Sequence, residues 1–144
     1  MAEIPISLCS VFIQIWVDTN ALRSGSTNGV YLVDNRTNAG VHEGTPNLTT
    51  TVSQSTYICW QIANIDPESP ALLSIQEIGN APIWGASGQP LFAAGNSWTG
   101  QAQTGGTSQY QIIFNAQQPH GMGLTIFLNP TIVVTSPLIS LVLY

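Results

Sequence analysis

The side chains able to do chemistry are few, and the only dense group of ionisable ones lies between Asp34 and Pro46, where Asp34, Asn35, Arg36, His42 and Glu43 share one polar loop. Loops that carry such side chains commonly carry function. Hydroxyl-rich neutral ligands are held by an aromatic face combined with a few convergent polar groups. The loop supplies the polar half of that combination. Trp84 and Trp98 lie among loop-type residues and are candidates for the aromatic half, or else packing residues. Trp16 is a further candidate for the aromatic half, whereas Trp60 sits inside an alternating apolar strand and reads as core.

Catalysis has less to work with. A nucleophilic Ser or Cys needs a base and an orienting acid, and His42 and His120 are the only histidines. Gly85-Ala86-Ser87-Gly88 falls one residue short of the nucleophile-elbow spacing G-x-S-x-G. Glycoside hydrolysis would have to draw a carboxylate pair from seven acids, several of which read as turn residues. No transition-metal motif or phosphate-binding loop is present. Calcium takes carboxylate, amide and carbonyl oxygens, so Asp18, Asn20 and Asp66 are its weak candidates, although each reads first as an ordinary turn or cap residue. No other metal or cofactor is expected.

Composition narrows the partners. Charged residues make up 6% of 144 positions, with a formal net charge of −5, Arg23 and Arg36 as the only strong bases and no lysine. Phosphate contacts need clustered Lys and Arg, which excludes nucleic acid, and no polybasic stretch exists to hold an anionic membrane. No run reaches the roughly 20 apolar residues of a spanning helix. The opening MAEIPISLCSVFIQIWVD lacks a basic n-region and reads as mature sequence. The expected location is cytoplasmic, in inclusions or released by a non-classical route. Cys9 and Cys59 sit in apolar runs and read as free thiols, with one disulfide as the alternative.

With 44% hydrophobic residues the chain should nevertheless fold. Helical periodicity is nearly absent, and short alternating runs recur between Gly, Pro, Asn and Ser. This predicts an all-β, antiparallel sandwich of jelly-roll type over residues 1–144, with about eight to ten strands. Val11, Ile13, Ile15 and Val17 alternate with Phe12, Gln14, Trp16 and Asp18, which predicts a central strand with one cleanly apolar face. Runs over 29–33, 48–52, 56–65, 72–78, 108–117, 124–128, 131–135 and 138–144 supply the others.

Several segments read together carry a resemblance. They are Ile13-Gln14-Ile15-Trp16-Val17-Asp18-Thr19; Val30-Tyr31-Leu32-Val33-Asp34-Asn35 with Glu43-Gly44-Thr45-Pro46-Asn47-Leu48 and Ile58-Cys59-Trp60; and Tyr110-Gln111-Ile112-Ile113-Phe114 with Asn129-Pro130-Thr131-Ile132. The set resembles the AidA/PixA family of bacterial inclusion-body proteins, although Asn129 stands where that family has an acid. The resemblance implies a β-sandwich made abundantly by a bacterium, often under cell-density control or in association with a host, and no established enzyme activity.

Two expectations follow. The main one is a non-enzymatic, lectin-like module that binds neutral glycan as a homo-oligomer. The alternative is an abundant inclusion-type protein that binds copies of itself, with Leu138–Tyr144 as the strand most apt to be covered by a partner.

Overall fold

The computed structural model describes residues 4–36, 42–79, 81–119, 121 and 123–136. The predicted strand over 138–144 lies outside the described residues. The class is all-β, with eleven strands among those residues: β1 Val11–Val17, β2 Val30–Asp34, β3 Thr49–Ser53, β4 Tyr57–Asn64, β5 Leu72–Gly79, β6 Leu91–Ala94, β7 Ser97–Gln101, β8 Gly106–Gln109, β9 Gln111–Gln117, β10 Gly123–Leu128 and β11 Thr131–Thr135. They form a five-stranded sheet in the order β2-β1-β4-β7-β6 and two three-stranded sheets, β10-β9-β5 and β3-β11-β8.

β1 alternates as its sequence predicts. Val11, Ile13, Ile15 and Val17 are all buried, and each contributes about 1.5–3 kcal/mol of transfer free energy. Its neighbours differ from expectation in one respect, because β1 pairs antiparallel with β2 but parallel with β4. β3 and β11 are parallel as well. Parallel strands tend to be covered on both faces and to read as unbroken apolar runs. Ile58-Cys59-Trp60 in β4 is such a run, and all three residues are fully buried. The segment before β1 lies against the second face, where the Thr99 hydroxyl donates to the Ile4 carbonyl at 2.7 Å.

The two smaller sheets share one long hairpin. Gln117 stands opposite Gly123 and Ile112 opposite Leu128. The same register continues past a break at Tyr110 and Asn129-Pro130, with Gln109 opposite Thr131 and Gly106 opposite Val134. The Tyr110 N–H donates to the Pro130 carbonyl at 3.0 Å across that break. Proline has no N–H to give the ladder, so the hairpin turns a corner here. Its β9/β10 half takes β5 as neighbour and its β8/β11 half takes β3.

All three sheets meet in one core, and its centre is aromatic. Trp60, Trp84 and Tyr110 pack edge to face, with ring centroids 5.6 Å apart for Trp60–Trp84, 6.0 Å for Trp60–Tyr110 and 5.6 Å for Trp84–Tyr110. Trp60 comes from the five-stranded sheet, Tyr110 from the hairpin corner and Trp84 from the 3-10 segment Pro82–Ser87. The Trp60 indole N–H donates to the Tyr110 hydroxyl at 3.1 Å. Trp84 is 1% exposed, which corrects its expected role as a ligand-facing ring.

β1 and β2 close on each other through Gly29. The Asp18 N–H donates to the Gly29 carbonyl at 2.7 Å. Gly29 has φ 86°, and a Cβ there would stand 2.9 Å from the Asp18 carbonyl oxygen. Gly29→Ala is therefore expected to cost about 1–3 kcal/mol of stability in a urea melt. An unchanged midpoint would show that this closure tolerates a side chain.

Candidate functional site

The polar loop residues do come together, but mostly to hold the loop. The Asp34 carboxylate accepts the Arg36 N–H at 2.9 Å through one oxygen and the Thr50 hydroxyl at 2.7 Å through the other. The Asp34 N–H donates to the Glu43 carboxylate at 3.0 Å. Asn35 accepts the Phe12 N–H at 2.9 Å and donates to the Ser10 carbonyl at 3.2 Å, so its amide is engaged at both ends. The Arg36 Nε–H donates to the Thr51 carbonyl at 3.0 Å. His42 is exposed at φ 58°, and its carbonyl accepts from the Thr45 N–H and hydroxyl. These bonds tie β2 to β1 and β3. The loop is a clasp, with the outer edges of Asp34 and Asn35 facing a hollow of about 170 Å³ beside Phe12, Gln14 and Val33.

The predicted tryptophans do not join that loop. Trp84 is at the core centre. Trp98 is on β7 opposite Trp60 and Phe92, half-buried and packed against the core rather than in a loop.

The calcium candidates behave as turn residues. The Asp18 carboxylate caps the Asn20 N–H at 3.1 Å, and that of Asp66 caps the Glu68 N–H at 2.9 Å. Asn20, Asp66 and Glu68 do border one open hollow of about 500 Å³. No three His, Cys, Asp or Glu side chains gather into a metal-binding group among the described residues.

The outward face of the five-stranded sheet carries a second, uncharged depression. Gln14, Trp16, Gln61, Ala63, Asn96 and Ser97 line a groove of about 260 Å³, which meets the Asp34 hollow at Gln14. The register explains it. Gln14 is opposite Gln61 and Trp16 opposite Ala63, so a bulky ring stands next to a methyl group and leaves room above it. Asn96 reaches the rim from the two-residue turn Gly95-Asn96, where Gly95 has φ 56°. The Trp16 indole N–H donates to Gln14 Oε1 at 3.1 Å, the Asn96 amide donates to the Ile62 carbonyl at 3.3 Å, and the Gln61 amide bonds the Ser97 hydroxyl at 3.1 Å. One signal for the site was in the sequence, since Trp16 alternates away from the apolar face of β1. Gln61 and Asn96 become neighbours only through strand pairing.

Two thiols neighbour each other, Cys9 in the segment before β1 and Cys59 on β4. Cys9 and Cys59 are both free. Burial, then the neighbouring Cys59 thiol, pushes the Cys9 pKa up to about 12. Burial raises that of Cys59, partly offset by hydrogen bonds from Ser97 and Cys9.

A family model described as a domain of unknown function, DUF8788, matches residues 9–120. The chain belongs to this family. Its matched span runs from Cys9 through the groove and clasp to just beyond β9. No curated protein matches. Among solved structures, the crystal structure of the inclusion body protein PixA from Burkholderia cenocepacia J2315 is similar, with a TM-score of 0.66 over 90% of this chain and 96% of that one. Identity is 11%, so the likeness is one of fold. The resemblance read from the sequence holds at that level. No helix among the described residues is long and apolar enough to cross a membrane.

Proposed function

We propose that this DUF8788 domain is a non-enzymatic, self-associating structural protein of the inclusion-body type, acting in the cytoplasm as a homo-oligomer. One observation carries the reading. The last Asp, Glu, Lys or Arg in the chain is Glu77, so six strands, β6 to β11, contain no formal charge. Three sheet edges, β6, β8 and β10, belong to that half. Charged edge residues are a main device against strand-to-strand association, and these edges lack it. Two of them display apolar groups instead: Phe92 on β6 is 55% exposed and Phe127 on β10 is 54% exposed. The fold shared with a protein named as an inclusion body protein supports the same reading. Neutral-glycan binding by the 34–47 loop has less support, because Asp34 and Asn35 hold the clasp and Trp84 is buried.

Light scattering across a concentration series tests this. The parent chain should grow in mass with concentration. Phe92→Lys and Phe127→Lys place like charges where two copies meet and should each weaken association at least about tenfold. A chain that stays monomeric throughout the series, or oligomers indifferent to both lysines, would rule the reading out.

A further inference from the structure

We propose that the groove on the outward face of the five-stranded sheet binds the ring of a neutral sugar, with Trp16 as the stacking surface and Gln14 and Asn96 as the polar contacts. The site differs from the edges invoked for assembly, and the argument for it is independent of them.

Hydrogen-bond chemistry fixes what the groove presents. An indole N–H only donates, so the Gln14 atom facing Trp16 is Oε1, and Nε2 is left as a donor with no other bond among the described residues. A backbone carbonyl only accepts, so Asn96 gives Nδ2 to Ile62 and leaves Oδ1 as an acceptor. Gln61 places its amide against Ser97, between these two. The groove thus offers a donor from β1 and an acceptor from the β6/β7 turn beside a half-buried aromatic ring. A sugar hydroxyl both donates and accepts, so neighbouring hydroxyls of one ring can satisfy the pair while its C–H face lies on the indole.

Charge and size narrow the class. No ionisable side chain lines the groove, so a phosphate, sulfate or carboxylate would find no counter-charge there. The net charge of −5 adds to its exclusion. A volume of about 260 Å³ falls below the roughly 300–1,000 Å³ of sites for drug-sized ligands, which suits one ring in an open setting. Affinity at such a site is expected to be weak, in the millimolar range, with tighter binding only through several copies.

Saturation-transfer NMR with glucose, galactose, mannose and N-acetylglucosamine tests the assignment on the full chain. At least one of these should receive saturation from the protein. Gln14→Glu keeps the acceptor for Trp16 and replaces the outward donor with a carboxylate oxygen, so the fold should persist while binding weakens roughly three- to tenfold. Trp16→Ala should abolish the signal, and Leu72→Ala, on the exposed side of β5 and outside both the groove and the edges invoked for assembly, should leave it unchanged. If none of the four sugars receives saturation, or if the signal survives both groove substitutions, the assignment is wrong. Light scattering reads self-association, and loss of signal on substitution in the groove reads sugar binding, so the two failures are separately visible.

Discussion

Trp60→Ala is expected to be the most damaging single substitution in the chain, lowering stability by about 3–5 kcal/mol. Stability of domains this size is of order 5–15 kcal/mol, so the variant should be largely unfolded in mild urea. The loss has three parts. Trp60 is 0% exposed and among the largest buried side chains, so its removal opens a cavity that the facing sheets cannot close. Its edge-to-face contacts with Trp84 and Tyr110 go with it, and such contacts contribute about 0.5–1.5 kcal/mol beyond area burial. The Tyr110 hydroxyl also loses the donor it meets at 3.1 Å. Tyr110→Phe removes only that last element and leaves the buried indole N–H without its acceptor, so about 1–3 kcal/mol is expected. Urea melts of the two variants check the ordering. A Trp60→Ala midpoint within error of the parent would mean that the aromatic centre is not what joins the sheets.

That centre also marks where sequence reading succeeds and where it stops. Trp60 and Tyr110 are legible because each sits in an alternating run, and alternation reports burial directly. Trp84 is not, because Pro, Gly and Ala around it look like a surface loop while the 3-10 segment folds back over the core. The parallel pairing of β1 with β4 had a signal, the two-faced apolar run Ile58-Cys59-Trp60. Pairing direction itself depends on which strands meet, and these lie more than forty residues apart. The corner in the hairpin is hidden in the same way, since Pro130 shows a break without showing that the register resumes beyond it.

The polar loop illustrates a different limit. Its residue types suggest groups available to a ligand, and Asp34, Asn35 and Glu43 do gather. Availability depends on partners elsewhere in the chain, however: Phe12 and Ser10 engage the Asn35 amide, Thr50 engages the Asp34 carboxylate, and the Thr51 carbonyl engages Arg36. The groove shows the converse. Gln14 and Gln61 are unremarkable glutamines until strand register sets them side by side, where their uncharged amides become a surface beside an aromatic ring.

Raising the pH should unfold the protein well before a chain without buried acids would respond. Tyr110 is fully buried, and burial raises its pKa above the ordinary phenol value of 10.0, with a smaller upward push from Asp34 and an opposing bond from Trp60. Cys9 and Cys59 are raised from 9.0 for the same first reason. All three groups keep their protons in the folded state after the unfolded chain has released them. The unfolded state then binds fewer protons, so stability falls as pH rises. The contribution is complete below about pH 9, where both states hold the thiol protons. It declines first through the thiols and then, above the phenol value, by about 1.4 kcal/mol per pH unit for Tyr110. Thermal melts between neutral pH and about pH 11 should show this two-stage descent. Cys9→Ser with Cys59→Ser should remove the first stage, and Tyr110→Phe the second together with the tyrosinate absorbance that accompanies unfolding. A melting temperature constant across this range would place these protons in contact with water in the folded protein, and with them the thiols and the hairpin corner.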